Sequence, residues 1–347
     1  MHAASTLLRL SEQDEGMHAV EAAGNFNESM YANLFDHEQR TGGWLRLGNR
    51  PNEGHAEMSC CLYLPDGRVG FMYQRPNLRD NSRFDAAGLS FEVLEPFQRL
   101  RVTYKGMLCL LKDPQAMADP RAAFAGNPIS ACEINLELHA LAPPFGGEPV
   151  GANGASIELD AATAFARGHY EQHLSGDGQI RIGREEFQLR GFGLRDHSWG
   201  PRYWQNIHWY RWLPLVFNEN FAMLVSVIAR RDGSRTNWGV VMSRDAQGRA
   251  QNDWLADIQL RSSYDERRQA IAQTAVLRTE GGAIYELDGR ALSLIPLRNR
   301  RQDANGRELH TRITEAMTEF RCNGLTGYGM AEYLDQLIAG QPAGYPA

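Results

Sequence analysis

The sequence predicts an all-β protein built from two antiparallel β-barrels or half-barrels in tandem. Period-two apolar runs recur along nearly the whole chain, and Gly-rich turns separate them at strand-length intervals. No βαβ alternation is present, and no G-x-G-x-x-G follows a strand and opens a helix, which disfavours a nucleotide-binding parallel sheet.

Taken in order, residues 1–25 read as a loose, partly helical arm. From Gly42 strand signals dominate, and "HAEMSCCLYLPDGRVGFMYQRP" places two β-rich runs around Pro65-Asp66-Gly67, a hairpin signature. In "GLSFEVLEPFQRLRVTYKGMLCLL" Phe91 and Val93, then Leu100, Val102 and Tyr104, fall on alternate positions and so share a face. "KDPQAMADPRAAFAGNP" breaks the pattern as an excursion loop with a helical turn. "EINLELHAL" resumes strand, with Ile134, Leu136 and Leu138 on one side. After a Gly- and Pro-rich loop, "HYEQHLSGDGQIRIGREEFQLRGFG" reads as short strands around Gly176-Asp177-Gly178 and Gly183. The second half repeats the walk, with hairpins at Asp232-Gly233 and Gly281-Gly282 and a late strand in "HTRITEAMTEFRCNG". A chain of 347 residues is long for one core. The expected division is an arm at 1–25, one domain at 26–188 and a second at 189–347. Closing each sheet would remove its unpaired edges, and a small barrel can enclose one apolar ligand.

Composition excludes several classes. Net charge is -6 and the arginines are scattered among acids, which argues against a nucleic-acid surface. No apolar window approaches the length of a membrane-spanning helix, and the start lacks a basic end followed by an apolar run, so a cytoplasmic location is expected. The five cysteines form neither C-x-x-C nor a disulfide framework and read as reduced, small core residues.

The candidate chemistry is limited by what is missing. There is no H-E-x-x-H, no G-x-S-x-G and no phosphate-cradling loop. His169 and His173 in "HYEQH" share a strand face, yet nothing else in the pattern completes a metal site, so neither a metal nor a cofactor is assigned. What remains is acid–base work in an aromatic pocket, and "GFGLRDHSWGPRYWQNIHWYRW" at 191–212 supplies the parts. If "NIHWYRWLPL" is a strand, His208, Tyr210 and Trp212 lie on one face, a plausible pocket lining, while Ile207, Trp209 and Arg211 lie on the other. Asp196 stands among Phe192, Trp199 and Trp204: burial would raise its pKa, and Arg195 or Arg202 would lower it. The plainer reading is a buried Asp–Arg pair pinning a domain junction.

The segment "GFGLRDHSWGPRYW" resembles the Asp-His-x-Trp-Gly signature of bacterial proteins with tandem lipocalin-like halves, a group similar to the carotenoid 1,2-hydratase (hydroxyneurosporene synthase) superfamily and the lipocalin-like Diels–Alderases. The resemblance runs through "LGNRPNEGHAEMSCCLYLPDGRVGFMYQRP" and "HYEQHLSGDGQIRIGREEFQLRG" to "GYGMAEYL", most of residues 30–335. It implies two lipocalin-like barrels with an apolar ligand cavity and proton chemistry on greasy substrates without nucleotide or metal. It places the acidic signature residue at Asp196 and the flanking aromatic at Trp199.

The expected function is a cofactor-independent lyase or isomerase acting by hydration, dehydration or cyclisation on a hydrophobic terpenoid, steroid or aromatic molecule. Asp196 would give or take the proton, His208 or Tyr210 would relay it, and Glu171 would be the second carboxylate. Trp199, Trp204, Trp212 and His197 would contact the substrate, with Arg195 and Arg202 orienting Asp196. The alternative is a lipocalin-like carrier of the same ligand class, which needs the cavity but no titratable pair aimed into it. The expected partner is the small hydrophobic molecule, with no nucleic acid and no membrane span; a homodimer is compatible with this reading but nothing in the sequence requires one.

Overall fold

A computed structural model describes residues 7–158, 164–302 and 306–346 of the chain. They form two closed eight-stranded antiparallel barrels. The first runs through β1 (Glu28–Asp36), β2 (Thr41–Arg50), β3 (His55–Tyr63), β4 (Val69–Gln74), β5 (Arg99–Leu111), β6 (Ile129–Ala140), β7 (Gly168–Ile182) and β8 (Glu185–Trp199). It closes where β8 pairs with β1. The second runs through β9 (Ile207–Asn218), β10 (Phe221–Arg230), β11 (Arg235–Arg244), β12 (Ala250–Tyr264), β13 (Ala270–Thr279), β14 (Ile284–Gln302), β15 (Glu308–Cys322) and β16 (Leu325–Ile338), and closes where β16 pairs with β9. Every barrel strand neighbours the next in chain order, the up-and-down topology of lipocalin-like barrels.

The three expected hairpin turns join β3 to β4, β10 to β11 and β13 to β14. Gly176-Asp177-Gly178 is no turn, because β7 passes straight through it as one strand of 15 residues. A Cβ at Gly178 would lie 2.0 Å from the Asn135 carbonyl oxygen of β6, so this glycine admits a close neighbour and does not reverse the chain. The expected boundary at 188/189 also moves. β8 continues to Trp199 and pairs along its length with β7 and, from Phe192, with β1, so it belongs to the first barrel. The passage between barrels is 200–206, where a short 3₁₀ turn, Trp204–Asn206, leads into β9.

Alternation is what joins the two barrels. On β1, Met30, Ala32 and Leu34 point into the first barrel's core, while Tyr31 and Phe35 pack outward with Met317, Tyr328 and Met330 of the second. β3 does the same, with Met58, Cys60 and Leu62 inward and Cys61 and Tyr63 outward. Strands apolar on both faces are expected where a sheet is covered on both sides. All five cysteines are buried and unbridged.

The arm is docked. Glu15, at the end of a 3₁₀ turn, enters the end of the first barrel, accepts from the Tyr170 hydroxyl, pairs with Arg195 Nη1 at 3.0 Å and caps the Phe97 amide at 3.0 Å. The second barrel is capped by the opposite end of the chain: Arg211 pairs with Asp335 at 3.2 Å, and Asp335 accepts from the Gly344 amide at 2.8 Å. Both interiors are thus packed and capped, and the cavity expected inside a barrel lies between the two.

Candidate active site

A cavity of about 430 Å³ sits in the seam between the barrels. Its walls follow from the strand register. On the outer face of the first barrel, Glu171 (β7), Asp196 (β8), Tyr31 (β1) and Arg46 (β2) stand side by side. On the facing barrel the row is Trp238 (β11), Ser226 (β10), Trp212 (β9), Glu332 (β16) and Glu315 (β15). A position that would face water on an isolated barrel here faces another barrel, so polar residues end up enclosed.

Glu171 is fully buried, and each of its oxygens accepts one indole N–H from the opposite barrel: Trp212 Nε1 at 2.7 Å and Trp238 Nε1 at 2.8 Å. Two residues along the same strand face, His169 Nε2 is paired with Asp196 Oδ2 and lies 3.9 Å from Glu171 Oε1. Among the described residues the His169 Nδ1 atom has no hydrogen-bond partner, and the ring, Asp196 and Glu171 all line the cavity. Burial lifts the Glu171 carboxyl to about 7, against the pull of His169 and the two indoles. Burial alone would depress the His169 imidazole, but the carboxylates of Asp196 and Glu171 outweigh it and raise it to about 9. Asp196 also feels burial as an upward push, yet His169 and Arg202 hold it below the ordinary carboxylate range. Near neutral pH the group is therefore an Asp196 carboxylate, a His169 imidazolium and a Glu171 that gains and loses its proton.

A second titratable pair lies on the other wall. The Tyr210 hydroxyl donates to Glu332 Oε1, and Glu315 stands directly opposite Glu332 on β15. Burial, then the neighbouring Glu332, keeps Glu315 well above the usual carboxyl range, and burial also raises Glu332 against the hydrogen bonds from Tyr210 and Glu315. Arg202 donates to Ser198 Oγ and is layered between Phe165, 4.2 Å from its guanidinium carbon, and Trp204, at 5.4 Å. Burial pulls its pKa down to about 9.

The structure brings together Asp196, Glu171, Tyr210, Trp204, Trp212 and Arg202 on this cavity. It does not bring the others. A bulge between Ile207 and Trp209 breaks the alternation of β9, so Ile207 faces the cavity and His208 does not. Arg195, His197 and Trp199 alternate with the cavity-facing Asp196 and Ser198 and therefore point into the first barrel. There Arg195 binds Glu15, His197 Nε2 lies 3.0 Å from Glu28 Oε1, and Trp199 stacks on His18 at 4.1 Å. Sequence reading missed His169 as the partner of Asp196, together with Trp238, Glu332 and Arg46. For His169 the signal was present: it lies two positions before Glu171 on a strand. Two groups have donor atoms close enough to hold a metal ion, His169–Glu171–Asp196 and His18–Glu28–His197, each set within 4.8 Å. In the second, Glu28 is bonded to both histidines; in the first, His169 is bonded to Asp196 while the Glu171 oxygens accept from Trp212 and Trp238.

Fold and site together define a tandem lipocalin-like protein with a half-open, acid- and base-lined cavity between its barrels. Residues 11–337 match the model of the family described as Domain of unknown function (DUF7064), and the chain belongs to that family. No curated protein matches it by sequence. Its fold is similar to the crystal structure of a protein assigned as AttH from Nitrosomonas europaea (15% identity, 96% of this chain and 97% of that one, TM-score 0.59). It is also similar to CghA with Sch210972 (11%, 95% and 95%, 0.55) and to kievitone hydratase from Nectria haematococca (9%, 96% and 94%, 0.51). These neighbours agree in fold with the tandem lipocalin-like architecture implied by the resemblance drawn from residues 191–204.

Proposed function

We propose that the protein is an acid–base lyase or isomerase that adds, removes or relocates a proton, with or without water, on a hydrophobic small molecule held in the seam cavity. The observation carrying this reading is the Asp196–His169–Glu171 group, placed on a largely apolar cavity with the imidazole reaching the open space. His169 presents Nδ1 to the substrate, and Asp196, bound at Nε2, fixes the ring and keeps it charged. This refines the expectation that Asp196 itself meets the substrate. For dehydration, the imidazolium protonates the departing hydroxyl, the C–O bond breaks and water leaves. Glu332, reached through Tyr210 on the opposite wall, takes the proton from the neighbouring carbon as the double bond forms. Tyr31, Trp204 and Trp212 rings beside the forming cation would each contribute roughly 0.5 to 2 kcal/mol.

A carrier requires the cavity and gains nothing from buried charge, because an ionised group in an apolar pocket weakens binding of an apolar ligand. Hydroxylated and alkene terpenoids, steroids and aromatics incubated with the purified protein in ¹⁸O-water test the reading. The expected result is a product differing by one water, or an isomer, that disappears with His169→Asn. Saturable ligand binding with no conversion across these classes would favour the carrier.

A further inference from the structure

A second cavity of about 540 Å³ adjoins the first, and Tyr31, Arg46, Trp204 and Glu332 line both. Its lining carries Arg46, Arg75, Arg298, Arg300 and Arg301. Fixed negative charge falls short of this. The Glu57 carboxylate is shared by three guanidiniums, Arg75 at 3.1 Å, Arg50 at 3.3 Å and Arg46 at 3.6 Å. Among the described residues, Arg298 and Arg300 reach carboxylates loosely, Asp119 at 3.8 Å and Glu308 at 3.7 Å. Arg301 has no ion pair within 4 Å among the described residues; at longer range it feels Arg50 and Arg75 against the attraction of Glu57 and Glu53, and burial with the arginines prevails, holding its pKa below the usual guanidinium value. Glu315 and Glu332, the remaining acids of the lining, face one another across neighbouring strands, and burial pushes both toward the neutral form. Fully buried Arg50, behind this cluster, leaves its Nη2 atom without a partner.

Guanidiniums gathered around a half-open space without matching carboxylates repel one another, and a bound anion reverses that cost. The planar fork of arginine suits a carboxylate or phosphate in particular. We propose that the second cavity seats the anionic group of an amphipathic organic acid whose apolar body lies in the seam cavity against His169, with Arg46 at the passage between them. The inference rests on the reading of the seam cavity as the substrate site, and narrows its substrate from a neutral hydrophobic molecule to one bearing a carboxylate or a phosphate-type ester at a distance from the reacting centre.

The test is equilibrium binding of dodecanol, dodecanoate and dodecyl phosphate, below micelle-forming concentrations, followed by tryptophan fluorescence at low salt. At least one anion should bind tenfold or more tightly than the alcohol, with the advantage shrinking as salt is added. The tighter of the two identifies the headgroup. Arg75→Gln with Arg301→Gln should bring the anion to within about twofold of the alcohol and leave dodecanol binding unchanged, which also reports an intact fold. Arg301→Gln alone, a half-buried change, should remove part of the preference. Equal binding of alcohol and anions by the unmodified protein, or an undiminished preference in both variants, overturns the proposal. His169→Asn should keep the preference, because the readout is binding. Intact preference in a protein that converts nothing counts against the acid–base reading alone, and lost preference in a protein that does convert substrates counts against the arginine assignment alone.

Discussion

Replacing Asp196 by Asn tests the centre of the site, because it removes a charge and keeps the shape. The imidazole of His169 stands at about 9 only because Asp196, with Glu171, outweighs the burial that would depress it. Asn cannot supply that attraction, so the pKa of His169 should fall to its ordinary 6.5 or below. At pH 8 a group titrating at 9 is about 90% protonated and one at 6.5 about 3%, so the acid form drops about 30-fold. The alkaline limb of kcat/KM should move from about pH 9 toward neutrality. Activity at pH 8 should fall by about that factor, while the loss near pH 6 is smaller and reflects only the poorer orientation of the ring. NMR titration of the histidine Cε1–H signals, with His169 identified by its absence in His169→Asn, reads the pKa without any substrate. A His169 pKa that stays within half a unit of its original value in Asp196→Asn would refute the argument, whatever happens to activity.

Four further outcomes follow from the same geometry. A carboxyl whose pKa is raised to about 7 on folding contributes stability that is fully present below about 4.5 and is lost as pH rises through 7. The unfolding free energy of the wild type relative to Glu171→Gln should therefore fall by roughly 2 kcal/mol between pH 4.5 and 6.5 in denaturant titrations; a flat difference would remove Glu171 from the account. Glu15→Ala leaves Arg195 buried without its carboxylate and should cost about 3 to 5 kcal/mol, seen as a lower midpoint in urea with the secondary structure retained. Tyr210→Phe, which deletes only the hydroxyl bound to Glu332, should lower kcat by at least tenfold with KM nearly unchanged. His208→Ala, outside the cavity lining, should alter neither constant by more than about twofold.

The barrels were legible because alternation and turn chemistry are local. Pro65-Asp66-Gly67 and Asp232-Gly233 specify their hairpins whatever surrounds them. The Asp196 segment was legible as cavity lining, since an acid among rings and arginines is rarely left on a surface. What the sequence could not show was which face of β8 meets the cavity. Alternation puts Asp196 opposite Arg195, His197 and Trp199, so choosing one face for the acid sends the other three into the barrel. Sequence proximity had grouped all four. His208 was lost for another reason: a single bulge at the start of β9 is decided by tertiary fit and leaves no residue-level mark. Trp238 and Glu332 lie 42 and 136 residues from Asp196, and only closure of the second barrel and its docking bring them near.

That docking also explains why the proposed site sits in a seam. A barrel offers interior space only if nothing fills it, and here large side chains do: the arm's Glu15 meets Arg195 in one barrel, and Asp335 with Gly344 closes on Arg211 in the other. The two cavities lie where the outer faces meet. Outer faces of barrels carry the polar half of the alternating pattern, so a seam cavity inherits carboxylates, an imidazole and guanidiniums, whereas the charged groups turned into the barrels are closed off in pairs such as Arg195–Glu15 and Arg211–Asp335. The two indole hydrogen bonds from the second barrel to Glu171 of the first make the consequence concrete. They fix a first-barrel carboxylate from the second barrel, so the acid–base group is complete only when both barrels are docked. Trp238→Phe should thus weaken the docking and raise the Glu171 pKa further, a joint effect that neither barrel alone could show.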